Sequence, residues 1–245
     1  DNQNATVVTL WETDPLAAGG GGAFPVTVTL PDAATMAGFD TLELELEMTC
    51  VGSGEFGDCP AWDYDVFLRM CDDVNQAECT REIGHWITTY HREGRWVHDI
   101  SGLLPLLADG GPRKFSFHVA DPWEIDLNLR FSNQGKTEAP SETLQLWTAT
   151  HTLDASYNEK WAPIDHFIPS DAVRVELVSA ITGHGMSQPG NCAEFCNTDH
   201  HFFVNTTDNL RDFPILMSNS AYGCMEQVAD GTVPNQYGTW WYGRA

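Results

Sequence analysis

Long apolar runs and basic side chains are both scarce in this sequence. No stretch approaches the ~18 consecutive apolar residues that a membrane-spanning helix needs, so the sequence predicts no membrane span. Lysine and arginine together number 12 against 35 aspartates and glutamates, which gives a net charge of −23. So acidic a surface repels phosphate backbones and excludes nucleic acid as a partner, whereas neutral ligands such as sugars are indifferent to it.

Helical periodicity is scarce as well, and what is present is alternation of polar and apolar residues. The alternating segments are Val26–Leu30, Leu42–Met48, Lys114–Val119, Ile125–Phe131 and Val173–Leu177. Period-two patterns rich in β-branched and aromatic residues indicate strands with one buried face. Clusters of Gly, Pro and Asp separate these segments. We therefore predict an all-β protein built from antiparallel sandwiches or jelly rolls.

The seven cysteines are closely spaced. By spacing alone, three short-loop disulfides are available: Cys50 with Cys59, Cys71 with Cys79, and Cys192 with Cys196. Such loops imply an oxidising compartment, and no signal peptide remains at Asp1, so we predict a secreted, periplasmic or cell-surface protein whose export signal has been removed. A zinc site fits poorly, because the spacing does not suit both halves of a four-ligand site. Cys224 is left over.

A domain boundary is predicted where the strand pattern stops. The stretch Asn133–Glu142 is rich in polar residues and contains both glycine and proline. It divides the chain into an N-terminal sandwich of ordinary size over residues 1–135 and a second β unit of only about a hundred residues over 142–245.

The smallest cysteine loop carries an acid. A disulfide between Cys192 and Cys196 would close a ring around Glu194 and remove most of its backbone freedom. Positioning of this kind is what a reacting acid needs. The alternative interpretation is a stapled surface loop whose glutamate faces water.

Two further acids lie next to tryptophans. Asp63 follows Trp62 directly after the Cys50–Cys59 loop, and Asp121 comes two residues before Trp123 at the end of a predicted strand. Carboxylates accept hydrogen bonds from sugar hydroxyls, while indole faces stack on the apolar face of a pyranose. Together these pairs indicate a carbohydrate-binding site.

Five segments then match a known family in order and approximate spacing. They are Cys59–Asp63, Glu82–Tyr90, Thr182–Gly185, Asn191–Cys196 and Gly243–Ala245. Over residues 40–245 the chain resembles the bacterial peptide-N-glycosidase F family, whose members remove whole N-linked glycans from asparagine. The resemblance implies two adjacent antiparallel jelly rolls with the active site at their interface.

The resemblance also implies roles for individual residues. Asp63 matches the principal catalytic aspartate, and Glu194 matches the glutamate of the small disulfide ring. The implied substrate-binding residues are Trp62, Asp121, Trp123 and Arg244. The chain departs from the family pattern twice, because Asp121 replaces a glutamate and Tyr64 replaces an arginine.

The unpaired cysteine has an explanation within the family. The family motif continues past Arg244-Ala245 into Gly-Trp-Cys, and that last cysteine pairs with the residue that Cys224 matches. We therefore expect this chain to be a fragment of a longer product, with an incomplete second jelly roll.

The function implied is that of an N-glycan amidase. It would hydrolyse the amide between asparagine and the first N-acetylglucosamine of a glycoprotein or glycopeptide, with neither a cofactor nor a metal. Three alternatives stay open: a non-catalytic relative that binds glycans or serves in surface assembly, a glycosidase that cuts between sugars, and a copper monooxygenase. The last rests on His200 and His201 and on the double jelly roll that such enzymes share.

Overall fold

The structure, a computed structural model, divides into two units. It describes residues 4–17, 20–52, 58–62, 64–89, 91–179, 181, 186–188, 191–192 and 198–213. The first unit runs to Gln145 and the second begins at Leu146. Within the described ranges, no helix is both long and apolar enough to cross a lipid bilayer.

Eight strands of the first unit form two four-stranded antiparallel sheets. The first sheet has the order β1 (Thr6–Leu16), β8 (Trp123–Ser132), β3 (Thr41–Cys50) and β6 (Gly94–Asp99). The second has the order β2 (Gly22–Asp32), β7 (Gly110–Val119), β4 (Asp65–Met70) and β5 (Arg81–Ile87). The pairs β1–β8, β2–β7, β3–β6 and β4–β5 nest within one another, which is the topology of a jelly roll. Short helical turns at Ala33–Met36, Ser101–Leu103 and Leu104–Leu107 lie in the connections.

The alternation along the strands decides which face is buried. In β3, Leu42, Leu44 and Leu46 are fully buried, while Glu43 and Glu47 on the opposite face remain partly exposed. The apolar side chains point into the space between the two sheets, because successive residues of a strand face opposite sides.

Aromatic side chains join the two sheets across this core. Trp11 on β1 lies 5.7 Å from Phe117 on β7, measured between ring centroids. Trp86 on β5 packs against Phe117 at 6.5 Å and stacks on the His98 ring of β6 at 5.9 Å. Offset and tilted aromatic contacts add to the free energy that burial of their area already supplies.

The second unit is described in part and is also built from strands. Strands β9 (Met186–Gln188) and β10 (Asn191–Cys192) pair, and β11 (Thr198–Val204) and β12 (Thr207–Phe213) form a hairpin. A single helical turn at Tyr157–Lys160 precedes Trp161. The Trp161 ring contacts three neighbours edge-on, those of Trp147, His151 and Tyr157.

The predicted all-β class is confirmed, and one predicted strand is wrong. The four alternating segments of the first unit lie within β2, β3, β7 and β8. In contrast, Val173–Leu177 has no strand, and Val173 and Val175 are 91% and 64% exposed. Alternation predicts which face a strand would bury, but a strand also needs a hydrogen-bonded neighbour, and none of the described residues pairs with this segment.

Gly84 leaves no room for a side chain against its core neighbours, and a substitution tests this packing. A Cβ added to Gly84 on β5 would collide with the Trp86 ring and approach Leu44 Cδ1 to 2.9 Å. We expect Gly84→Ala to lower the free energy of unfolding by about 1–3 kcal/mol in urea denaturation, because neither core neighbour can yield without strain. Gly102→Ala is the matched control, since its Cβ would meet nothing within 4 Å. Equal losses for both variants would contradict this account of Gly84.

Candidate functional site

Four connections of the jelly roll emerge at one end of the sandwich, which we call the motif end. Trp123 begins β8 and pairs both with Cys50 at the end of β3 and with Leu16 at the end of β1. Asp65 begins β4 opposite Ile87, where β5 ends. The connections that meet at the motif end are therefore 17–21, 51–64, 88–93 and 120–122.

The connection from β3 to β4 is held by a disulfide. Cys50 and Cys59 are bonded, and both are buried. Three residues further on, the Trp62 side chain is 57% exposed. A second disulfide, Cys71–Cys79, closes the β4–β5 connection at the opposite end.

The connection from β5 to β6 holds the same loop by hydrogen bonds. The Thr88 hydroxyl donates to the Trp62 carbonyl at 2.6 Å and accepts from the Tyr64 amide at 2.8 Å. The Thr88 amide in turn donates to the Tyr64 carbonyl at 2.9 Å. Both chain neighbours of residue 63 are thus tied to one buried threonine.

His91 adds two more bonds to this loop. Its amide donates to the Pro60 carbonyl at 3.0 Å, and its Nδ1 lies 3.1 Å from the Cys59 carbonyl. Because a carbonyl oxygen only accepts, Nδ1 must carry the proton. His91 has a φ of 52°, in the left-handed region that residues other than glycine seldom adopt. A backbone held in this region by its surroundings is typical of functional loops.

Asp121 lies on the neighbouring β7–β8 connection, partly buried. The β1–β2 connection packs directly on Ala120, the residue that precedes Asp121. A Cβ at Gly21 would lie 2.5 Å from the Ala120 carbonyl oxygen and 2.7 Å from its Cα, so only glycine permits this contact. The contact supports the backbone from which Asp121 projects.

The position of Trp123 corrects one expectation. Its side chain is completely buried in the core of the first unit. Stacking on a sugar needs an exposed ring face, and Trp123 has none. In this structure it is a core residue beneath the motif end rather than a substrate-binding surface.

A charged cluster lies at the start of β4. The His85 ring places Nε2 3.2 Å from Asp65 and Nδ1 3.1 Å from Glu82, and it packs 4.4 Å from the Phe67 ring. Burial alone would lower the pKa of His85, but the bonds to Asp65 and Glu82 outweigh it and raise the pKa to about 9. His85 is therefore a cation at neutral pH and links β4 to β5 directly below the loop.

Several predicted site residues lie outside the described residues. They are Asp63, Glu194, Cys196, Cys224 and Arg244. Cys192 lies in β10, but Cys196, its proposed disulfide partner, lies outside the described residues. The structure thus places Trp62 and Asp121 on connections of the motif end, and the roles of all these residues stay proposals.

The two histidines that suggested copper lie on β11. His201 Nδ1 is 2.7 Å from the Asp208 carboxylate across the hairpin, and the ring stacks on Phe203 at 6.1 Å. Among the residues that the structure describes, no group of three or more His, Cys, Asp or Glu is placed to hold a metal ion. His201 makes the contacts of a residue on a hairpin surface, and these give the copper alternative no support.

The fold places the protein among all-β proteins with the double β-sandwich architecture. Three solved structures share it over most of the chain. A recombinant peptide:N-glycanase F is 16% identical with a TM-score of 0.50, and PNGase F of Flavobacterium meningosepticum, described as a glycosylasparaginase, is 16% identical with a TM-score of 0.53. Each alignment covers 86% of this chain and 71% of the other. A peptide-N(4)-(N-acetyl-β-D-glucosaminyl) asparagine amidase is 15% identical, with coverages of 84% and 71% and a TM-score of 0.50.

Sequence comparison points to the same proteins. Residues 153–245 match the family model described as peptide-N-glycosidase F, C terminal. No curated protein matches the chain. These findings support a peptide-N-glycosidase F-like family for this chain, while identities this low show the fold alone.

Three residues at the motif end had no role in the sequence analysis. Thr88 and His85 lie within the Glu82–Tyr90 motif, and His91 follows it directly. The motif itself was the available signal. Thr88 contacts Tyr64, which lies 24 positions earlier in the chain, and His91 contacts Cys59, which lies 32 positions earlier. Spacing in the sequence does not predict such contacts.

The charged cluster predicts a pH dependence of stability. The folded-state pKa of His85 is about 9 against a usual value of 6.5. Its stabilising contribution is therefore fully present below pH 6.5 and is lost as the pH rises through 9. We expect wild type to lose up to about 3 kcal/mol of unfolding free energy over this range relative to His85→Gln, measured by urea denaturation at several pH values.

His118 provides the control for this measurement. Burial, and then the nearby Arg69 charge, lower the pKa of His118 below its usual 6.5, so neither state takes up an appreciable proton there above about pH 7.5. His118→Gln should therefore leave the pH dependence between about pH 7.5 and 9 as in wild type. A His85→Gln variant with the wild-type pH dependence would refute the assignment.

Proposed function

We propose that this chain acts as an N-glycan amidase, which hydrolyses the amide between asparagine and the first N-acetylglucosamine of an N-linked glycan. The observation that carries the proposal is the loop at the motif end. It presents Trp62 to solvent directly before Asp63 and is held by the Cys50–Cys59 disulfide and by Thr88. The solved structures with this fold are named for the same chemistry, which supports the choice of substrate.

The reaction adds water across an amide. The bond between the acyl carbon and nitrogen breaks, the carbon takes the hydroxyl, and the nitrogen takes a proton and leaves as a glycosylamine. Asp63 would act on the scissile amide in general acid–base catalysis, and Glu194 would hold and polarise the water. No thiol takes part, in keeping with Cys50 and Cys59 being joined as a disulfide.

Substrate binding would combine stacking with hydrogen bonds. The exposed Trp62 indole offers a face to the apolar side of a sugar ring. Asp121 and Arg244 would bind hydroxyl and acetamido groups of the core sugars. Because a sugar core carries no charge, the acidic surface of this protein does not oppose its binding.

The two disulfides support a location outside the cytoplasm. Two disulfides in short loops form and persist in oxidising compartments. We therefore place the protein outside the cytoplasm, in the secreted, periplasmic or cell-surface fraction, where N-glycosylated proteins or peptides are its partners and nucleic acids are not.

Removal of the proposed catalytic acid tests the function. Asp63→Asn keeps the size of the side chain but removes its proton chemistry, so we expect deglycosylation of an N-glycopeptide to slow by about 10²–10⁴-fold. Mass spectrometry of the wild-type product should show aspartate in place of the glycosylated asparagine. The exposed Asp109, on the β6–β7 connection at the opposite end, supplies the control variant Asp109→Asn, with unchanged activity.

The product also separates the alternatives. A peptide that retains one N-acetylglucosamine would show a glycosidase and refute the amidase proposal. Glycopeptide that binds but is returned unchanged by the wild type would show a non-catalytic binding protein. Full activity of Asp63→Asn would refute the role of that acid.

The stacking role of Trp62 is tested separately. Trp62→Ala should raise KM by about tenfold with little change in melting temperature, because an exposed ring contributes more to binding than to the core. The KM of Trp62→Phe should lie between those of wild type and Trp62→Ala, since the smaller phenyl ring still offers a face for stacking. Val97→Ala is the control, because Val97 is a similarly exposed apolar residue on β6. A KM equal to that of wild type in Trp62→Ala would exclude the stacking role.

A further inference from the structure

Thr88 is a buried threonine whose hydroxyl is fully used by one loop. It follows β5 immediately and is 4% exposed. The hydroxyl oxygen lies 2.6 Å from the Trp62 carbonyl and 2.8 Å from the Tyr64 amide. A hydroxyl can donate one hydrogen bond while it accepts others, so a single atom satisfies a carbonyl and an amide two residues apart.

The backbone of Thr88 extends the same contact. Its amide donates to the Tyr64 carbonyl at 2.9 Å. Residues 62 and 64 are therefore attached to the rigid end of β5 by three hydrogen bonds, one on the near side of Asp63 and two on the far side. With the His91 bonds to Pro60 and Cys59, hydrogen bonds from the β5–β6 connection reach residues 59, 60, 62 and 64 of this loop.

We infer that Thr88 is a positioning residue for Asp63, acting through the peptide groups on both sides of it. The inference rests on the proposed function, in which Asp63 acts on the scissile amide. A catalytic acid on a loop is effective only while its backbone is held in place, because small displacements of a reacting group are costly to the rate. The main effect of Thr88 is therefore expected on kcat rather than on binding.

Thr89 offers a matched comparison in the next position. It is also buried, at 9% exposure, and its hydroxyl donates to the Arg92 carbonyl within its own connection. Loss of the Thr89 hydroxyl removes a bond of the same kind from the same segment but leaves Trp62 and Tyr64 attached. A merely structural effect would appear in both variants.

The experiment compares Thr88→Val, Thr88→Ser and Thr89→Val with wild type. Valine keeps the shape of threonine and removes the hydroxyl, whereas serine keeps the hydroxyl. On an N-glycopeptide we expect Thr88→Val to lower kcat by about 10–100-fold with KM changed less than about threefold. Thr88→Ser and Thr89→Val should stay within about threefold of wild type. The melting temperatures of the two valine variants should be similar, because each loses one buried hydroxyl bond.

A measurement without substrate reports on the loop itself. In hydrogen–deuterium exchange, the peptide that contains residues 59–66 should exchange faster in Thr88→Val, with exchange in β7 and β8 unchanged. Unchanged exchange of this peptide, or equal losses of kcat in Thr88→Val and Thr89→Val, would overturn the inference about Thr88. An inactive wild type would instead overturn the proposed function, so the two failures are distinguishable.

Discussion

The pairing of β3 with β8 is the interaction on which the site depends. Ten residues of β3, from Thr41 to Cys50, face ten of β8, from Ser132 back to Trp123. This ladder lies at the centre of the first sheet, with β1 and β6 on its two sides. Because its register places Cys50 opposite Trp123, the connection that leaves β3 starts beside the connection that enters β8. The connections 51–64 and 120–122 therefore meet the first sheet on two adjacent strands.

The outer face of the same two strands supports the register. Glu45 is 6% exposed, and its carboxylate bonds to Arg95 and, at 3.2 Å, to Arg130. Burial alone would raise the pKa of Glu45, but the two guanidinium groups lower it overall, so the buried acid stays ionised. A slip of one residue would turn Glu45 and its neighbours on this face into the apolar core, which strongly disfavours any other pairing. A buried ion pair is costly to desolvate, so its presence is weak evidence of a gain in stability.

The site is the product of two kinds of constraint. The disulfide holds the loop at Cys59, and the hydrogen bonds of Thr88 and His91 hold the stretch that follows it. The covalent bond limits how far the loop can move, while the hydrogen bonds select one conformation of its peptide groups. Trp62 itself stays 57% exposed, although its carbonyl accepts the hydrogen bond from the buried Thr88.

Most of the first unit was predictable from local pattern, and the exceptions have physical causes. The alternation in Leu42–Met48 and Ile125–Phe131 predicted strands and their buried faces, because side-chain direction follows chain position within a strand. The same pattern failed at Val173–Leu177, where no strand in the described part of the chain completes a ladder. Trp123 resembled a sugar-stacking residue in sequence, but it starts a central strand and is buried. Sequence cannot distinguish an exposed tryptophan from a buried one when both lie beside an acid.

The amino-acid sequence by itself determined the all-β class, the short cysteine loops and the position of Trp62 beside Asp63, since each depends on residues close together in the chain. Only the tertiary structure decided which connections meet at one end of the sandwich and which side chains hold them. Thr88 reaches Tyr64 across 24 residues, and His91 reaches Cys59 across 32. Such contacts exist only after the antiparallel ladders have brought the ends of β3, β4 and β5 together, because each depends on the folded positions of residues far apart in the chain.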